Sequence, residues 1–187
     1  DSQIKVPLER VDAAAGAVAL RVRLAGLQGG HSGIDIHLQR GNATQLLTRA
    51  LYALSLSTEF DLVELAGGNA HNAIPREAIA EVMIRPADRD AFVNGLEDEL
   101  AGIKEEFKSV DPNMEWQIAE IESPNQIWAP DTAARILQLI SALPHGVIMM
   151  SNDIPDLVET STNLATVVPK GDILQIGLSS RSSVATA

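Results

Sequence analysis

AVALRVRLA, residues 17–25, alternates without a break: Val18, Leu20, Val22 and Leu24 point one way, Arg21 and Arg23 the other. A period of two marks a strand with one face on a core and the other in water. The run passes into the glycine-rich GLQGGHSGIDIH (26–37). Beyond it Asn42 can cap a helix in which Leu46, Leu47, Ala50, Leu51 and Leu54 form one apolar stripe. FDLVELA (60–66) and EAIAEVMI (77–84) read as two further strands, separated by the turn-rich GGNAHNAIPR. Asp88 is then placed to cap a long helix that puts Phe92, Leu96, Leu100, Ile103 and Phe107 on one face and acids on the rest. MEWQIAEI (114–121) alternates again as a strand.

The order β-α-β-β-α-β predicts an α+β fold: a mostly antiparallel sheet with its helices on one face, a ferredoxin-like core over 17–121. Residues 122–183 extend it. APDTAARILQLISALPHG (129–146) offers Asp131 as N-cap, Ile136, Leu137, Ile140 and Leu143 as a stripe, and Pro144 with Gly146 as a stop. LVETSTNLATVV and ILQIGLS read as a hairpin joined by PKGD, with a short strand at 147–150. No linker, low-complexity run or repeat interrupts the chain, so residues 1–187 are expected to form one domain.

Composition narrows the function. A chain of 187 residues that is 45% hydrophobic can bury a sizeable core. The absence of cysteine removes disulfides and thiolate-ligated zinc. A net charge of −11 disfavours nucleic acid and anionic membrane surfaces as partners, because both need concentrated Lys and Arg. No apolar run approaches the roughly 20 residues of a membrane span.

The junction GGHSG could hold several chemistries. A nucleophile elbow needs Gly-x-Ser-x-Gly, and here Ser32 is followed at once by Gly33, one position out of register. A phosphate loop needs a Lys before its Ser or Thr, and none is present. His31, His37, His71 and His145 include no pair at i, i+4, so the chain offers no recognisable metal site of its own. Two readings of His31 stay open: a loop in which Gly29, Gly30 and Gly33 permit unusual backbone angles while His31 or Ser32 satisfies amides, or a histidine presented to an active site. Asn72 can bond its own turn, and Arg181 among hydroxyls is suited to a bidentate carboxylate contact or to an ordinary surface ion pair.

Four segments, LAGLQGGHSGIDIHLQRGNA, GGNAHNAIPREA, VETSTNLATVV and SRSS, together resemble the lid, or dimerisation, domain of the aminoacyl-histidine dipeptidases. These Xaa-His dipeptidases are carnosinase-like members of the dinuclear zinc metallopeptidase superfamily. The resemblance runs from about residue 5 to residue 183. It implies a zinc metallopeptidase, cytoplasmic, whose two zinc ions and their ligands lie in a catalytic domain outside this sequence, with the present chain a piece of that enzyme. It implies further a homodimer formed through the lid and a dipeptide substrate. By the same resemblance His31 stabilises the transition state, Asn72 lies beside the substrate, and Arg181 holds its C-terminal carboxylate. Arg85, thirteen residues past Asn72, competes with Arg181 for that last role, and Asn163 is a further substrate-side candidate. Ala165 stands where members of the family carry glycine, which bears on local backbone freedom alone. The isolated chain is expected to be inactive. The alternative expectation is a stand-alone α+β oligomerisation or binding module with no catalytic partner.

Overall fold

The computed structural model describes residues 1–184; residues 185–187 of the expected 1–187 unit lie outside the described residues. Among the described residues, twelve strands and three α-helices follow in the order β1 (Ser2–Pro7), β2 (Arg10–Asp12), β3 (Val18–Ala25), β4 (Gly30–His31), α1 (Ala43–Ser55), β5 (Asp61–Gly67), β6 (Ala73–Ile74), β7 (Ala78–Ile84), α2 (Arg89–Phe107), β8 (Glu115–Ile121), β9 (Gln126–Trp128), α3 (Pro130–Ala142), β10 (Gly146–Met150), β11 (Val158–Lys170) and β12 (Ile173–Ser182). The main sheet runs β1-β12-β11-β5-β7-β3-β8, with β10 pairing β11. Every pairing in it is antiparallel.

The part β5-β7-β3-β8 has the strand order of the ferredoxin-like unit, its crossovers supplied by α1 and α2. The alternation in β3 does what its sequence demands. Leu20, Val22 and Leu24 are buried in the main core with Leu47, Leu51, Phe92 and Leu96 from the helices, while Arg21 and Arg23 on the other face pair with Glu81 and Glu77. Ile136 and Ile140 of α3, and Leu164, Val167, Leu174 and Ile176 of the β11–β12 hairpin, enter that same core. The extension therefore continues both layers of the unit, and β11 covers the edge that β5 would otherwise expose.

Several local expectations change. Asp88 does not cap α2: its backbone is already helical within the 3₁₀ turn Pro86–Asp88, and its carboxylate is bonded to Arg85. Asp131 lies inside the first turn of α3, where Pro130 takes the opening position after Ala129. Three pairings carry too few residues, or too little alternation, to be read locally: β1 against β12, β2 against β9, and β4 against β6.

Candidate functional site

The two loops that concentrate small and polar residues are zipped together. Gly30 pairs with Ile74 and His31 with Ala73, and the Ser32 N–H donates to the Asn72 carbonyl at 2.8 Å. His31 is thus not at a simple strand-to-helix junction; it belongs to its own two-residue strand. Asn163, 1% exposed on β11, donates Nδ2–H to the Ala73 carbonyl at 2.8 Å and fixes this small ladder to the sheet. Its neighbour Ala165 sits at the irregularity between Leu164 and Thr166 with no positive φ, so alanine fits there without strain.

Both ends of the loop are clamped as well. Asp111, fully buried, accepts from the Gln28 N–H at 2.6 Å and the Gly41 N–H at 2.7 Å. Asn42 accepts from the Thr44 and Gln45 N–H groups as the cap of α1 and donates to the Leu164 carbonyl at 2.8 Å. Asn42 also donates to His145 Nδ1 at 3.3 Å, so His145 is packed against the cap of α1. Nothing near Asp111 in sequence marks it, since SVDPNM reads as a turn and its partners lie 83 and 70 residues away.

Around His31 the chain makes a tight turn. The Asp35 carboxylate accepts the His31 N–H at 2.8 Å, and the His31 carbonyl accepts from the Asp35 N–H at 2.8 Å. Gly30 has φ +144, and a Cβ there would meet Asp35 at 2.8 Å, so only glycine fits. The Gly33 N–H donates to His31 Nδ1 at 3.1 Å. A nitrogen that accepts a backbone N–H carries no proton, so the neutral ring holds its proton on Nε2, the other nitrogen.

Gly33 does not need its glycine for an unusual φ, unlike Gly29 and Gly30. It is small because Arg181 lies on it: a Cβ at Gly33 would stand 2.7 Å from the guanidinium carbon. Among the described residues Arg181 joins no ion pair. The structure thus brings His31, Asn72, Asn163 and Arg181 into one neighbourhood. It does not bring Arg85 there. That residue follows the far end of β7 from Pro75, and its guanidinium pairs with Asp88 at 2.6 Å and Glu59 at 3.2 Å. A cleft of about 560 Å³, lined by Gly68, Asn69 and Ala73 to Glu77, flanks the small ladder. Among the described residues no group of three or more His, Asp or Glu could hold a metal ion.

Residues 22–115, just over half of the chain, match the peptidase dimerisation domain family, and the chain belongs to it. The match covers most of the ferredoxin-like unit, including the His31 loop. Over 177 residues the chain is 29% identical to the cytosol non-specific dipeptidase of Escherichia coli (strain K12), covering 95% of this chain and 36% of that protein. It also superimposes with a TM-score of 0.95 and 29% identity on the aminoacylhistidine dipeptidase of Vibrio alginolyticus, covering 98% of this chain and 38% of that one. The chain spans little more than a third of the length of these two relatives.

Proposed function

We propose that this chain is the lid and dimerisation domain of a zinc-dependent, cytoplasmic dipeptidase that hydrolyses Xaa-His dipeptides. Residues 1–187 act as one unit, 17–121 its core and 122–183 its extension. Its partners are its own catalytic domain, a second copy through the lid, and the dipeptide. The two zinc ions belong to the catalytic domain; the residues described here do not fit them, and the chain alone is inactive.

The observation that carries this reading is the bond from the Gly33 N–H to His31 Nδ1. As a peptide bond is cleaved, negative charge grows on its carbonyl oxygen, and a hydrogen-bond donor placed there stabilises the transition state more than the ground state. Nε2–H of His31 is such a donor, held in the right tautomer before substrate arrives. Arg181, with its planar fork and no acidic partner among the described residues, suits the C-terminal carboxylate. Asn72 supplies polar contact beside the peptide. Asn163 acts on substrate through Ala73, the residue it bonds, and Arg85 is left to surface ion pairing.

Replacing His31 by Ala in the full-length protein tests the reading. Turnover of Xaa-His should fall by about 10²–10³-fold with zinc content unchanged, the loss typical of a single oxyanion donor. A fall of less than about tenfold would remove the transition-state role.

A further inference from the structure

We propose that Arg40 and Asp111 are positioning residues for the reaction: they close residues 28–41 into a fixed loop and so set where the His31 ring stands. The inference rests on the transition-state role given above to His31. The two ends of the loop share no backbone hydrogen bond among the described residues. Two charged side chains join them instead. Asp111 Oδ1 accepts the Gln28 N–H at one end, and Oδ2 accepts the Gly41 N–H at the other. Arg40 Nη1–H reaches back to the Gly29 carbonyl at 2.7 Å. The Gln28 side chain adds a bond to the carbonyl of Val110, next to Asp111. The exit of the loop is then tied to the rest of the fold, Asn42 to the Leu164 carbonyl and the Ala43 N–H to the Pro75 carbonyl at 3.0 Å. Each residue of RGNA (40–43) thus makes such a bond, and each to a different part of the chain.

Among the described residues neither Arg40 nor Asp111 joins an ion pair, so backbone groups are their partners. Asp111 is fully buried, and burying a carboxylate away from any cation is costly unless N–H groups meet it. Here each of its oxygens takes one N–H, from positions thirteen residues apart in the chain. The ladder at Gly30 and His31 cannot hold the loop by itself, because a pair of two-residue strands is too short to be stable alone. Opening the ends would free backbone torsions on both sides of His31. A transition-state donor is sensitive to such freedom, since a displacement of about 1 Å costs roughly 10²-fold in rate. The loss falls on kcat, because the carboxylate of the substrate is held from β12 and not from this loop.

The experiment is a double-mutant cycle in the full-length, zinc-loaded protein with Ala-His as substrate. Asp111→Asn keeps one acceptor and turns N–H groups toward the second amide. Arg40→Met removes the donor to Gly29 at a part-buried position, so it reports on the loop even where Asp111→Asn fails to fold. Each should lower kcat by at least about tenfold and change KM by less than about threefold. Arg40→Lys, which keeps a donor within reach of the Gly29 carbonyl, should restore kcat to within about threefold of the native value. With His31→Ala already present, the same two changes should lower kcat by less than about twofold further, because the group they place is gone. An equal loss with and without His31 would show that the two residues support the fold at large, and the proposal is refuted. Losses below about twofold in both variants, with His31→Ala still costing about 10²-fold, would show that the loop keeps its shape unaided. The proposal then fails while the role of His31 stands. If His31→Ala itself costs less than about tenfold, that role falls and the present inference falls with it.

Discussion

Asn163 and Ala73 are 90 residues apart and joined by a 2.8 Å hydrogen bond, from the Asn163 amide to the carbonyl of the residue that pairs with His31. The extension thereby positions the loop that carries the histidine. Among the described residues the Asn163 Oδ1 has no partner, so the side chain serves chiefly as a donor. Asn163→Asp keeps the shape but replaces the donor with a second acceptor facing a carbonyl in a buried site. It should cost about 3 kcal/mol or more, against about 1 kcal/mol for Asn163→Ala, because the aspartate must be buried either charged or protonated. Urea unfolding of the two variants checks the order.

Asp111 predicts a larger and differently placed effect. Its carboxylate closes two backbone N–H groups at opposite ends of the 28–41 loop. Asp111→Ala leaves both amides without their acceptor, at a cost of about 2–4 kcal/mol. Amide exchange at Gln28 and Gly41 should accelerate more than exchange in the centre of β3. Equal acceleration throughout would mean that Asp111 supports the whole fold and not the loop.

The main strands and helices were legible because their signal is local. Alternation in 18–24 and the four-, four-, three- and four-residue steps from Phe92 to Phe107 mark buried faces irrespective of what covers them. What escaped is defined by partners distant in sequence. The strands Gly30–His31 and Ala73–Ile74 are each too short for any period, and exist only because they meet. Gly33 looks like every other loop glycine until Arg181 is seen on it. Arg85 has the spacing of a site residue along the chain, but spacing does not say that β7 carries it away from Pro75 to the opposite end.

Asp35 is predicted to act on His31 through the backbone. Its Oδ2 accepts the His31 N–H at 2.8 Å. Asp35→Ala should lower kcat of the full-length protein by about tenfold, with KM changed less, since the histidine acts in the transition state and the carboxylate merely orients it. The ¹⁵N shifts of the His31 ring provide a second reading. They should report the Nε2–H tautomer in the native protein and a mixture in the variant.

His145 gives the fold a pH dependence of defined sign. Burial pushes its imidazole down to about 4. It opens on a cleft of about 270 Å³ lined by Arg40, Asn42, Gln45 and Phe107 among others, with no carboxylate in that lining to favour its charged form. The unfolded chain titrates its histidines near 6.5, so between 6.5 and 4 it binds a proton that the folded chain excludes. The contribution is complete above about pH 6.5 and declines as pH falls toward 4, by up to about 1.4 kcal/mol per pH unit. His145→Gln keeps an acceptor for Asn42 and removes the titration, so its stability should fall less steeply across that window than the native protein's. Denaturation at pH 7, 5.5 and 4.5 measures the difference, and parallel curves for the two proteins would show that His145 is protonated as readily in the fold as outside it.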